Sequence, residues 1–214
     1  MVEIEDLTKD ELDIFEAEFL KLPAQFVTER KVIDIFENNK DFILECARMA
    51  KAKYKATFFG VDAQTDFGWQ LIRPEHVLRL TTDTGVTNTE WKKTIAAPGW
   101  ADWIGTSASP IKIKEEALLC LLGLVNYSPS PKAYACVLRL QNITYPIWYF
   151  ERPMRVQDSL KVFELPKPKA ILPERNLYGR LKYSATGEDE TGLLGITFAE
   201  AWYLQTETPT VESP

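Results

Sequence analysis

The hydrophobic spacing of this chain changes once, near Tyr54, and that change limits the fold more than any other feature. Before it, apolar side chains recur at three and four residues, the spacing of an amphipathic helix. After it they recur at alternate residues, and clusters of Gly, Pro, Asn and Ser punctuate the chain every 8–15 residues. No alternation of strand and helix follows, which excludes a parallel α/β sheet. The pattern predicts an α+β chain, mainly β: an N-terminal helical pair followed by an antiparallel β-sandwich of jelly-roll type.

Thr8-Lys-Asp-Glu11 is a capping box, in which the Thr8 hydroxyl and the Glu11 carboxylate satisfy each other's backbone amides. Leu12, Phe15, Phe19 and Leu22 then form one apolar stripe, and Pro23 closes the helix. A second helix is expected over 28–52, with Val32, Ile35, Phe36, Phe42, Cys46 and Met49 on one side and an interruption at Asn38-Asn39. The two are read as an antiparallel pair whose apolar seam needs a partner. Three regions follow: an acidic helical arm over 1–53, a sandwich over 54–206 and a flexible tail over 207–214.

Within the sandwich, Ala133–Gln141 places Tyr134, Cys136, Leu138 and Leu140 on one face. Asn176–Ser184 turns Leu177, Leu181 and Tyr183 inward and Tyr178, Arg180 and Lys182 outward. Leu194, Ile196, Phe198, Trp202 and Leu204 line a last strand, with Glu200 interrupting the row. Further strands are expected at 54–59, 68–73, 76–82, 90–96, 111–125, 144–151 and 159–165, although a buried helix over 111–125 would look similar. Ser-Pro-Ser-Pro at 128–131 and the acidic stretch at 186–192 read as hairpin loops.

The net charge of −6 is concentrated at one end. Residues 1–22 hold eight acids against Lys9 and Lys21, and the remainder balances at 23 against 23. No basic arm is available to neutralise a phosphate backbone, so direct nucleic-acid binding is not expected, although folding can still gather a local basic patch. The longest apolar run, Ala117–Val125, falls far short of the ~20 residues of a membrane span. The N-terminus lacks the basic and apolar stretches of a secretory signal, which points to synthesis in the cytoplasm. Cys46, Cys120 and Cys136 have no zinc-type spacing and read as buried thiols, with Cys120–Cys136 as an alternative pair. Asn126 and Asn142 begin glycosylation sequons, read as chance without a signal.

Catalytic motifs are not recognised. His76 is the only histidine, which excludes multi-histidine metal sites and leaves any Ser-His-Asp arrangement dependent on that one residue. Glu115 and Glu116 are adjacent and, on a strand, point to opposite faces. Glu188, Asp189 and Glu190 lack the alternate-residue spacing of a calcium loop and read as a solvated hairpin tip. No cofactor or metal is therefore expected. Trp91, Trp100 and Trp103, with Trp69 upstream, make 65–105 aromatic and loop-like, and these rings are either exposed binding groups or buried anchors. Tyr145, Trp148, Tyr149 and Phe150 form a second block, with Tyr149 on the face opposite Trp148 and Phe150.

The segment Leu160-Lys-Val-Phe-Glu-Leu-Pro-Lys-Pro-Lys-Ala-Ile-Leu-Pro-Glu-Arg, followed by Leu177–Ala185, a Gly/Asp loop and Gly195-Ile-Thr-Phe, covers about a quarter of the chain. It resembles the C-terminal strands of jelly-roll and sandwich virion proteins of tailed phages and archaeal viruses. There a strand ends in a Leu-Pro-x-Pro crossing and two long strands carry a small-residue hairpin. The resemblance implies a particle subunit (capsid, decoration or tail-associated) located in the virion, with copies of itself and other virion proteins as partners and no catalysis. The interaction residues expected on this reading are Leu12, Phe15, Phe19, Leu22, Trp91, Trp100, Trp103 and Tyr149. The alternative is a carbohydrate- or peptide-binding sandwich that uses exposed tryptophans.

Overall fold

Asn39 is where the helical half of the chain divides. A computed structural model describes residues 30–57, 67–77, 86, 90–149 and 161–200, and in it α1 (Arg30–Asn38) and α2 (Lys40–Thr57) meet at this residue. The Asn39 side chain donates back to the Ile35 carbonyl at 2.8 Å, a local bond that competes with continuation of the helix. The interruption expected at Asn38-Asn39 is thus present. Val32, Ile35, Phe36 and Cys46 are buried as the spacing predicts. The helix runs on through Thr57, which corrects the strand expected from 54. Alternating Ala and Lys there mimics a strand pattern, yet both residues are good helix formers. The first expected helix, over 8–22, lies outside the described residues.

The strands are β1 (Phe67–Leu71), β2 (Lys92–Ile95), β3 (Gly99–Ile104), β4 (Ile111–Lys112), β5 (Ala117–Asn126), β6 (Ala133–Leu140), β7 (Ile143–Thr144), β8 (Trp148–Tyr149), β9 (Lys161–Ile171), β10 (Asn176–Tyr183) and β11 (Gly187–Glu200), with a one-turn helix α3 (Pro74–Val77) after β1. That turn takes the first two residues of the strand expected at 76–82, the rest of which lies outside the described residues. All pairings are antiparallel. Sheet 1 has the order β1-β11-β5-β9, with β2 also on β11; sheet 2 has the order β3-β10-β6-β7, with β4 on β10 and β8 on β6. If β1/β2, β3/β4 and β7/β8 are each counted as one broken strand, the described residues form eight strands in two four-stranded sheets. Their order is first-eighth-third-sixth and second-seventh-fourth-fifth, the arrangement of a jelly roll. The chain is α+β and mainly β, a helical layer on an antiparallel sandwich, as expected.

This topology corrects two links. The segment around 128–131 is not a hairpin loop within a sheet, and the loop expected at 186–192 falls almost wholly inside β11: β5 to β6 and β10 to β11 both cross from one sheet to the other. The expected crossing at Leu165-Pro-Lys-Pro168 is likewise a bulge inside β9, where Leu121 faces Lys169 and Gly123 faces Glu164. β9 ends the strand order of sheet 1, so its prolines remove no ladder donor that a further strand needs.

Three layers enclose two cores. Leu119, Leu121, Cys136, Leu138, Leu177, Leu181 and Tyr183 pack between the sheets. Leu118, Cys120, Leu122, Leu194, Ile196 and Phe198 face the other way, onto Phe36, Ile43, Cys46 and Ala50 of the helices. The seam of α1 and α2 is therefore filled by the chain's own sheet 1, not left open for a neighbour. The boundary expected at 53/54 falls inside α2. β5 is buried on both faces, which is why its sequence is an unbroken apolar run instead of an alternation.

Candidate interaction face

Sheet 1 is covered by helices, and the outer face of sheet 2 carries a patterned set of side chains. Opposed residues in an antiparallel pair share a face. Lys182 faces Trp100 on one side and Ala135 on the other, Ala135 faces Tyr149, Arg180 faces Asp102, and Tyr178 faces Arg139. Tyr134 joins this set because the β-bulge between Lys182 and Tyr183 throws it out of phase with Cys136 and Leu138. That corrects its expected place on the core face. The face thus gathers four aromatic rings and three cations from four strands.

The cations sit on the rings. Arg139 lies 5.0 Å over Tyr178, Lys182 lies 5.5 Å from Tyr134 and 5.8 Å from Trp100, and Arg180 lies 5.8 Å from Trp100. Such contacts hold long side chains in place by attraction to the ring quadrupole. Asp102 accepts from the Tyr178 hydroxyl at 2.7 Å and pairs with Arg180 Nε at 3.3 Å. Burial, with the bond to Asp102, pushes the Tyr178 phenol up to about 12, so it stays a donor at neutral pH.

An apolar margin adjoins this face at β7 and β8. Ile143, Ile147 and Tyr149 are 60%, 45% and 61% exposed within seven residues of chain. They stand exposed along the β7–β8 edge of sheet 2, with Tyr149 opposite Ala135 on the outer face and Ile143 opposite Leu140 on the other. Tyr145 stacks on Trp148 with ring centroids 5.9 Å apart and takes Lys169 Nζ on its face at 4.6 Å. Trp148 packs against the inter-sheet core while Tyr149 points out, as their alternation predicts.

Trp91 and Trp103 lie elsewhere. Both are buried between the sheets, their centroids 5.9 Å apart. Each lies against a strand glycine: a Cβ on Gly192 would stand 2.5 Å from the Trp91 ring, and one on Gly179 would stand 3.1 Å from Trp103. They anchor the sandwich instead of presenting a surface, and Trp100 alone of the three stays half exposed. Of the other expected interaction residues, Tyr149 is exposed, whereas Leu12, Phe15, Phe19 and Leu22 lie outside the described residues. Tyr134 departs from its expected face because of the bulge, whereas Arg139 faces outward in alternation with Leu138 and Leu140.

The acidic stretch also departs from expectation. Asp189 is not part of a solvated tip but is 1% exposed within β11. It accepts from Asn126 Nδ2, Thr191 Oγ1 and the Lys132 amide, at 3.0, 2.6 and 2.6 Å. These bonds tie the β5–β6 crossing to β11. A cleft of about 500 Å³ lies beside this node, lined by Glu90, Lys92, Tyr127, Lys132, Glu188 and Glu190 among others. Lys92 bridges to Glu188 at 2.8 Å. Asp189 offers its oxygens to protein donors, and the cleft is read as the mouth of this structural node. Glu115 and Glu116 occupy a turn, not a strand.

His76 is buried on α3. Its Nδ1 accepts from the Arg73 amide at 3.2 Å and lies 2.8 Å from the Thr197 hydroxyl. Burial, with Arg73 and Lys114 nearby, depresses its pKa to about 4, so it is neutral at pH 7. The three cysteines are buried and free. Cys120 faces the helices and Cys136 the inter-sheet core, which removes the alternative of a bond between them. Cys120 instead meets Cys46, and burial raises its thiol far above the ordinary range. Asn126 is buried and inaccessible to glycosylation in the folded chain. Among the described residues, no helix is long and apolar enough to cross a membrane.

No family model and no curated protein matches the chain. Among solved structures it is similar to a Podospora anserina GH26-CBM35 beta-(1,4)-mannanase, at 11% identity and a TM-score of 0.29, over 63% of this chain and 28% of that one. The match spans under a third of the mannanase, and a likeness this slight carries no argument about function.

Proposed function

We propose that the chain is a structural subunit of a virus particle, joining copies of itself and other virion proteins without catalysis. The observation that carries this reading is the exposed apolar margin Ile143, Ile147 and Tyr149 on a jelly roll, an architecture that capsid domains share with lectins and cupins. Cupin metal chemistry needs several histidines, and this chain has one, buried and neutral at pH 7. Exposed apolar side chains along a sheet edge suit repeated side-by-side contacts.

Light scattering and electron microscopy of the purified chain over a range of concentrations test the reading. Concentration-dependent assembly, weakened by Ile147→Asp with unchanged thermal stability, is expected; a chain that stays monomeric at high concentration refutes it. The second reading, a carbohydrate- or peptide-binding module, draws on Trp100 as a half-exposed ring. Saturable glycan or peptide binding lost in Trp100→Ala would favour it.

A further inference from the structure

The outer face of sheet 2 is cationic in an acidic chain. Arg139, Arg180 and Lys182 stand there with Asp102 as the one acid in the cross-strand set, whereas residues 1–22 carry eight acids and two lysines and account for the whole net charge of −6. We propose that the acidic segment 1–22 of a neighbouring copy docks on the outer face of sheet 2, an inference that rests on the subunit reading above. Three arguments converge on this occupant.

The first is charge complementarity, which fixes register and speeds encounter between copies. The second is that the rings do not present bare faces. Trp100, Tyr134 and Tyr178 each carry a cation from their own sheet, so the surface offers positioned positive charge more than platforms for bases or sugars. The apolar stripe Leu12, Phe15, Phe19 and Leu22 then has a counterpart in the margin formed by Ile147 and Tyr149.

The third argument is reach. Residues 23–29 join Leu22, the last member of the apolar stripe, to α1, and seven residues span at most about 25 Å. α1 packs on the far side of sheet 1. Passing from the helix layer through two stacked sheets to the outer rings takes about 25 Å through the core, and more around an edge. The segment of a neighbour meets the face without that detour. The contact is head-to-tail, the kind that closes into rings or extends into shells.

Sedimentation of the full chain tests this with paired charge reversals. Arg180→Glu with Lys182→Glu should weaken self-association at least ~10-fold at about 0.05 M salt, and the loss should shrink at about 0.5 M. Glu11→Lys with Asp13→Lys alters no residue of the sandwich and should weaken self-association similarly. Combining the four substitutions should restore association to within ~3-fold of wild type. If wild type assembles and neither pair weakens it, or the combination restores nothing, the docking is overturned while the subunit reading stands. Concentration-independent loss of a compact form in the variants would make the contact intramolecular and also overturn it. So would binding of an oligothymidylate by wild type that the Arg180→Glu, Lys182→Glu variant loses, since the occupant would then be nucleic acid. A wild type that never associates refutes the subunit reading itself, and the docking with it.

Discussion

Lowering the pH from 7 to 5 should destabilise this protein chiefly through one side chain. His76 is the sole histidine, and its folded pKa of about 4 lies below the ordinary value of 6.5. The unfolded chain therefore binds its proton first. The stabilisation is complete above pH 6.5 and is lost as the pH falls from 6.5 towards 4. At about 1.4 kcal/mol per pKa unit the full loss is about 3 kcal/mol, of which about 2 kcal/mol has gone by pH 5. With a urea dependence of about 2 kcal/mol per molar, the unfolding midpoint should fall by about 1 M between pH 7 and pH 5. Asn at this position can accept the Arg73 amide and does not titrate, so His76→Asn should flatten that dependence. Burial, with Glu90 nearby, raises Glu190, which acts in the opposite sense, since stability lost as pH rises through its folded pKa returns on acidification. It is present in both proteins and cancels in the comparison. Parallel decline of wild type and variant, or a wild-type midpoint indifferent to pH over this range, would refute the reasoning.

Three further outcomes are expected. Gly192→Ala places a methyl group against the Trp91 indole and should cost about 1–3 kcal/mol by overpacking, read from urea midpoints with a shifted Trp emission; an unchanged midpoint would deny the close approach. Asp189→Ala strands the buried Asn126 and Lys132 donors and should cost about 3 kcal/mol while speeding amide exchange at Lys132 and Ala133; unaltered exchange there would mean that the node does not hold the crossing. Native protein should leave all three thiols unlabelled by an aromatic disulfide reagent and urea should expose them; fast native labelling would contradict their burial.

Legibility in the sequence followed how local each constraint is. β10 was readable because the buried Leu177, Leu181 and Tyr183 alternate with the polar Arg180 and Lys182, although Tyr178 on the outer face is itself buried. β5 was recognisable as apolar but not separable from a buried helix, since burial on both faces erases the period of two. β3 was hidden because Gly99-Trp-Ala-Asp-Trp-Ile104 mixes a core tryptophan with a surface one and a carboxylate. Asp189 looked like a solvated turn because its partner Asn126 is 63 positions away and nothing nearby announces it. Half of the candidate face was legible from β10. Arg139 follows from its alternation with Leu138 and Leu140, but Tyr134 and Asp102 depend on bulges and register, which arise from pairing between distant segments.

β11 pairs with β1, β2 and β5, so it is the piece that closes sheet 1. On a ribosome it emerges long after β5, whose helix-facing side meets a roof already made but whose other side and both edges must wait for strands still to come. Closing such distant pairs is slow, and the waiting intermediate is sticky. A chain made in many copies at once would face that hazard most acutely, and its yield in a cell should respond to translation rate and to holding chaperones more than its equilibrium stability suggests.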